Sequence, residues 1–214
     1  MTYKILSLNG GGARGIYQAV YLKNIAGNFP APFCKSFDLI AGTSTGSIVA
    51  AGVAFEIDLD KISKLFEEKA PEIFASRRLA SLRSGPRYSS APLREELRRI
   101  FGDRTLVEAT TPLLIPATAL NRYAPRAFSP FHEPGVAYSD PTLKIVDVVM
   151  ASCAAPSYFA PVKVEAPVKK DVDPRMYVDG GMWANSPSLD AVIHVYYYLK
   201  KPFDEMKLVS LGNG

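Results

Sequence analysis

Cysteine, tryptophan and histidine are all scarce: the 214 residues hold two cysteines, one tryptophan and two histidines. Cys34 and Cys153 alone build neither a disulfide framework nor a zinc cluster, and they read as two buried thiols in a reducing compartment. Long apolar runs are missing as well. The longest uncharged stretch, residues 39–55, contains Thr43, Ser44, Thr45, Ser47 and Gly42, Gly46 and Gly52. It is too short and too polar to cross a bilayer. The first apolar segment is interrupted by Ser7 and Asn9, so it offers no signal-peptide apolar region. A cytoplasmic location is expected, with export that needs no N-terminal signal left open. There is no low-complexity segment, because the 15 glycines and 17 prolines are dispersed and imply many turns.

No strong charge bias is present either. Lys and Arg number 25 against 21 Asp and Glu, a net charge of +4, which suits contact with an anionic surface without pointing to nucleic acid. A 48% hydrophobic and 21% charged composition excludes disorder, collagen and coiled coil. The length fits one domain, residues 1–214.

Lys4 to Leu8 reads as a strand that runs into Asn9-Gly10-Gly11-Gly12, and Ile16 to Ile25 has the apolar spacing of a helix. The same strand, loop and helix order recurs at Phe37 to Ala41, Gly42 to Gly46 and Ser47 to Phe55. Two such units in succession predict an α/β fold, a three-layer sandwich around a mainly parallel sheet. Further helices are expected around Ile62-Leu65-Phe66, from Ser90 or Pro92 to Gly102, over 145–151 and over 189–199. Further strands are expected over 113–119, 176–178 and 208–211. The sequence stops directly after that last strand, which a helix would normally cover, so a C-terminal continuation, missing or cleaved, is expected.

Gly42-Thr43-Ser44-Thr45-Gly46 matches G-x-S-x-G, the turn in which a strand passes sharply into a helix and lifts a nucleophilic serine into the open. Gly10-Gly11-Gly12-Ala13-Arg14-Gly15 has two readings. It fits the dinucleotide pattern G-x-G-x-x-G, but the acidic residue expected at the end of the second strand is missing, since Asp38 precedes that strand. It also fits an oxyanion hole built from consecutive glycine N–H groups, and a nearby serine elbow favours this second reading. Asp179-Gly180-Gly181 places a carboxylate at a strand end, where an ordinary turn is the simpler explanation. His132, in a Pro/Gly loop, and His194, in an apolar helix, have structural rather than catalytic surroundings.

Taken together, Gly10 to Gly15, Gly42 to Gly46 and Asp179-Gly180-Gly181 resemble the patatin-like phospholipase family in order and spacing. Residues 151–159 and 181–187 resemble it too, as does Ser210-Leu211-Gly212-Asn213-Gly214, with Asn213 where Thr is commoner. The resemblance implies a lipid acyl hydrolase with a serine-aspartate dyad and neither metal nor cofactor. Carried over, Ser44 is the nucleophile and Asp179 the general base. Gly10, Gly11 and Gly12 form the oxyanion hole, Arg14 steadies the loop, and Gly42 and Gly46 shape the elbow. The expected substrate surface is membrane phospholipid, reached by peripheral association. Between Ile73 and Arg94 the chain has no acidic residue, and Arg77, Arg78, Arg83 and Arg87 are a candidate patch for anionic headgroups. An acyltransferase or a general esterase using the same dyad, and a nucleotide-binding module using the glycine loop, are the alternatives.

Overall fold

The computed structural model describes residues 2–76, 85–130, 142–165 and 175–213, with the backbone alone at Arg175. Its elements run β1 (Tyr3–Leu8), α1 (Gly15–Ala26), β2 (Leu39–Gly42), α2 (Thr45–Ala54), α3 (Leu59–Ile73), α4 (Ala91–Phe101) and β3 (Leu113–Ala119). They continue with β4 (Ala124–Phe128), α5 (Ile145–Ser152), β5 (Val162–Val164), β6 (Arg175–Asp179), α6 (Gly181–Ala184), α7 (Ser188–Leu199) and β7 (Met206–Leu211).

One sheet is ordered β5-β6-β3-β2-β1-β7, with β4 paired on β3. β7, β1, β2 and the start of β3 are parallel. The second half of β3 is flanked by antiparallel β4 and β6, and β5 closes that side, antiparallel to β6. β1 alternates between two buried faces, which is why a central parallel strand reads as nearly continuous apolar sequence. Ile5 packs with Leu39, Ala41 and Leu114 against Ala191 and Val195 of α7. Leu6 and Leu8 face the larger core made with α1 to α5. These are the three layers.

Every residue of α2 is buried, which accounts for its small and, after Ser47, wholly uncharged and apolar composition. Its first turn presses so close to β1 that a Cβ on Gly46 would lie 2.4 Å from the Leu8 carbonyl oxygen. α3 opens on Asp58, whose carboxylate accepts the Asp60 N–H at 2.9 Å. α4 opens with Pro92 in its first turn and ends at Gly102, which takes φ 62°. Ser90 precedes that helix without a side-chain capping bond. Among the described residues, no helix is long and apolar enough to cross a membrane.

Candidate active site

Ser44 stands between β2 and α2 at φ 52°, ψ −127°, a left-handed conformation that costs a non-glycine residue about 1–3 kcal/mol. The surrounding bonds fix it. Its carbonyl accepts the Ser47 N–H at 2.8 Å and the Ser47 hydroxyl at 2.5 Å. Thr43 beside it donates its N–H to Leu8 O at 3.1 Å and its hydroxyl to Ala184 O at 2.6 Å. The side chain at Ser44 therefore projects from a turn locked to β1 and α6, above the N-terminus of α2, where the helix dipole favours negative charge.

Asp179 ends β6 and is 6% exposed. Its Oδ2 accepts the Ser44 hydroxyl at 2.7 Å, and its Oδ1 accepts the Gly181 N–H at 2.7 Å. Burial pushes its pKa above the ordinary carboxylate value, while the Gly181 N–H and the Ser44 hydroxyl pull the other way. The main chain at Asp179 is tied on both sides, by its N–H to Ala154 O at 3.0 Å and by its carbonyl to the Thr118 hydroxyl at 3.0 Å. Cys153 is buried next to this pair, and burial and the Asp179 charge hold its thiol in the neutral form.

The glycine loop lies beside the serine. The Gly10 N–H is donated to Asn185 O at 2.9 Å and the Gly11 N–H to Thr45 Oγ1 at 3.2 Å. Gly12 takes φ 59°, and a Cβ there would meet no atom within 4 Å. The main-chain N–H of Arg14 closes the turn on Gly11 O at 3.2 Å. Behind the loop, the amides of Gln18 and Asn213 both donate to Asn9 O, at 3.0 and 2.9 Å. Asn213 also covers Gly11, where an added Cβ would come within 2.3 Å of its Nδ2. An apolar cavity of about 50 Å³ opens from Ser44 and Gly12 between α2, α3 and α4, lined by Ile48, Leu65, Phe66, Phe74 and Phe159.

The expected residues do not all meet here. Ser44, Asp179, Gly10, Gly11 and Gly12 do, with Gly42 and Gly46 under the elbow. Arg77, Arg78, Arg83 and His132 lie outside the described residues. Arg87 is exposed, donates from Nε to Ser76 Oγ at 3.3 Å and lies over the Tyr88 ring, which stacks on Tyr158. Arg94 is held by Asp147 at 2.5 Å. His194 sits on α7 across the sheet, 3.4 Å from the Ser129 hydroxyl and against the Tyr198 ring. Ser152, Asn185 and Gln18 bond directly to the elbow or the loop, and the sequence assigned them no role. No group of three or more His, Cys, Asp or Glu that could hold a metal ion occurs among the described residues.

Comparison with known proteins gives a consistent picture. Residues 6–192 match the family model of patatin-like phospholipase. The chain is 36% identical to a cGAMP-activated phospholipase of Escherichia coli (strain TW11681), over 94% of this chain and 58% of the relative. It is 33% identical to a cGAMP-activated phospholipase of Pseudomonas aeruginosa, over 99% and 62%, and 30% identical to a cUMP-AMP-activated phospholipase of Escherichia coli, over 99% and 64%. The chain thus spans about three-fifths of the length of these curated relatives. In fold it is similar to VipD from Legionella pneumophila, with a TM-score of 0.59 at 15% identity over 99% of this chain and 50% of that one. Human GIVD cytosolic phospholipase A2 gives 0.55 at 13%, over 100% and 43%.

Proposed function

The chain belongs to the patatin-like phospholipase family, and on that premise we propose that it hydrolyses fatty-acyl esters of membrane phospholipids through a Ser44-Asp179 dyad. The observation that carries this reading is the 2.7 Å bond from the strained Ser44 hydroxyl to the buried Asp179 carboxylate. A carboxylate kept from water is a stronger proton acceptor than one in solution. Asp179 takes the Ser44 proton as Oγ attacks the ester carbonyl, then returns it to the departing alcohol. Water then attacks the acyl-serine, again losing a proton to Asp179, and the fatty acid leaves as the proton goes back to Ser44.

The developing oxyanion needs N–H donors, and the loop's bonding narrows the choice. Gly10 spends its amide on Asn185, so Gly11 and Gly12 are the donors in this reading, Gly11 by releasing Thr45. Each such donor is worth about 2.7–4 kcal/mol in comparable sites. The apolar cavity takes the start of the acyl chain. A nucleotide on this loop fits less well, because Asn213 covers Gly11 and the Gly10 amide points inward. Met182 and Trp183, 63% and 37% exposed directly after the Asp179 turn, are the apolar side chains that would meet a membrane in this reading, and the arginines of the sequence from Arg77 to Arg87 are its candidates for anionic headgroups.

The similarity to the cyclic-dinucleotide-activated relatives extends the proposal: hydrolysis by the whole protein responds to such a nucleotide. The decisive experiment is labelling with a fluorophosphonate, mapped by mass spectrometry, together with phospholipid hydrolysis with and without cGAMP or cUMP-AMP. Label on Ser44, and loss of both label and hydrolysis in a folded Ser44→Ala protein, is the expected result. Full hydrolysis by that variant refutes the mechanism, and indifference to both nucleotides refutes the regulatory extension alone.

A further inference from the structure

The Ser44 amide has an unusual requirement. At φ 52° the chain has left the ladder of β2, while the hydrogen bonding of α2 begins only at Gly46 and Ser47. Among the described residues, no main-chain oxygen accepts the Ser44 N–H. A donor shielded from water and left unpaired costs about 1–3 kcal/mol, and at this part-buried turn a side chain supplies the acceptor. That acceptor is Ser152 Oγ, 2.9 Å away.

We propose that Ser152 is a positioning residue for the reaction read above, a buried hydroxyl that sets the angle of the nucleophile and ties it to the turn carrying the base. Ser152 is the last residue of α5 and is fully buried. Its hydroxyl has one proton, which goes to Pro116 O of β3 at 2.6 Å. The oxygen lone pairs are thereby turned toward Ser44, and the direction of the bond is fixed. The carbonyl of the same residue accepts the Gly180 N–H at 3.3 Å, and Ala154 O, two residues on, accepts the Asp179 N–H. Gly180 also rests on Pro116, whose oxygen would lie 2.3 Å from an added Cβ. The end of α5 therefore holds both partners of the dyad, which lie 135 residues apart in the chain, to one point of β3. Proton transfer over 2.7 Å tolerates little misplacement, and an error near 1 Å costs about 100-fold in rate.

The proposal rests on Ser44 being the nucleophile, and its test separates the two ideas. Ser152→Cys keeps the size but weakens the acceptor, Ser152→Ala removes it, and Ser152→Thr keeps the hydroxyl. On a soluble short-chain ester, with rates normalised to folded protein, Ala and Cys should lower kcat about 10- to 100-fold with KM within about twofold, and Thr should recover most of the loss. Hydrogen exchange at the Ser44 amide should speed up in the Ala and Cys variants. If Ser152→Ala does not fold, the Cys variant decides the matter. A folded Cys variant with a lower melting temperature but wild-type kcat would show a merely structural residue and overturn the proposal, as would unaltered exchange at Ser44. A wild-type protein that takes no fluorophosphonate on Ser44 would sink the reading of the reaction. The tether then stands or falls on the exchange measurement.

Discussion

Replacing Asp179 by asparagine should move activity and stability in opposite directions. The amide keeps the shape, and its oxygen still accepts the Gly181 N–H, yet it cannot take the Ser44 proton. Turnover should fall by the ~10²–10⁴-fold expected of a lost general base. Stability follows from the direction of the pKa. Burial raises the Asp179 pKa in the folded protein, so between the unfolded and folded values the folded state holds the extra proton. Stability then declines as pH rises through that window, and at neutral pH the ionised carboxylate is a cost. The asparagine variant is spared that cost. A gain of about 1 kcal/mol would raise the melting temperature of a chain of this size by ~2–4 °C. Activity has the opposite pH dependence: only the ionised form accepts a proton, so kcat of the wild type should drop on acidification through a pKa above the ordinary carboxylate value of ~3.9. Two measurements suffice, a pH-rate profile on a soluble ester and thermal melts of both proteins at pH 4 to 8. A variant that retains turnover, or that is less stable than wild type at pH 7 and not at pH 4, would refute the argument.

Other perturbations are more local. Gly46→Ala should prevent folding, because its Cβ would lie 2.4 Å from the Leu8 carbonyl, whereas Gly12→Ala meets no atom and costs only about 1–2 kcal/mol for its positive φ; far-UV spectra and melts distinguish them. Ala70→Phe on α3, which lines the cavity beside Ser44, should shift preference toward shorter acyl chains, read from kcat/KM across esters of increasing length. His194→Ala should lower the melting temperature yet leave kcat within about twofold, and a folded variant that loses ~100-fold would bring a histidine into the mechanism. Replacing Arg77, Arg78 and Arg83 by glutamine should slow hydrolysis of anionic vesicles more than that of a soluble ester, with the gap shrinking as salt screens the surface; equal losses on both substrates would remove the arginines from any docking role.

The elements that could be read from the sequence are those whose pattern follows from burial alone. Residues 113–119 are apolar, Thr118 excepted, because β3 is covered on both faces, and the strand begins and ends where the sequence places it. α2 is legible for the same reason. Tyr196 and Tyr197 point outward while Tyr198 packs on His194, as helical spacing requires. Two strands, β4 and β5, carry no such pattern in their own residues. β4 contains Pro125 and, among the described residues, pairs with β3 alone, a place where a sheet tolerates proline, and β5 has three residues after Pro161. Their pairing partners, rather than their own residues, make them strands. That is also why the sheet is antiparallel on this side while the sequence suggests only its parallel centre.

The site divides along a similar line. Ser44 and the glycine loop announce themselves because the backbone there must turn or approach closely, and few residues allow it. Asp179 by itself is indistinguishable from any Asp-Gly turn, and only resemblance to a family singles it out. Ser152, Asn185, Gln18 and Asn213 carry no such mark. Serine, asparagine and glutamine occur anywhere on a surface, and their work here consists of meeting a particular orphaned amide or carbonyl across more than a hundred residues of chain for Ser152, Asn185 and Asn213. That pairing exists only once the fold has brought α5, α6 and β7 to the end of β1. The demand itself follows from the turn: among the described residues, Ser44 at φ 52° has a part-buried N–H that no main-chain oxygen accepts. In this chain a short hydroxyl on a largely apolar helix meets that demand. Residues 145–154 hold one hydroxyl, Ser152, in a stretch that is otherwise apolar apart from Asp147 and Cys153, and the structure places that hydroxyl against the Ser44 amide.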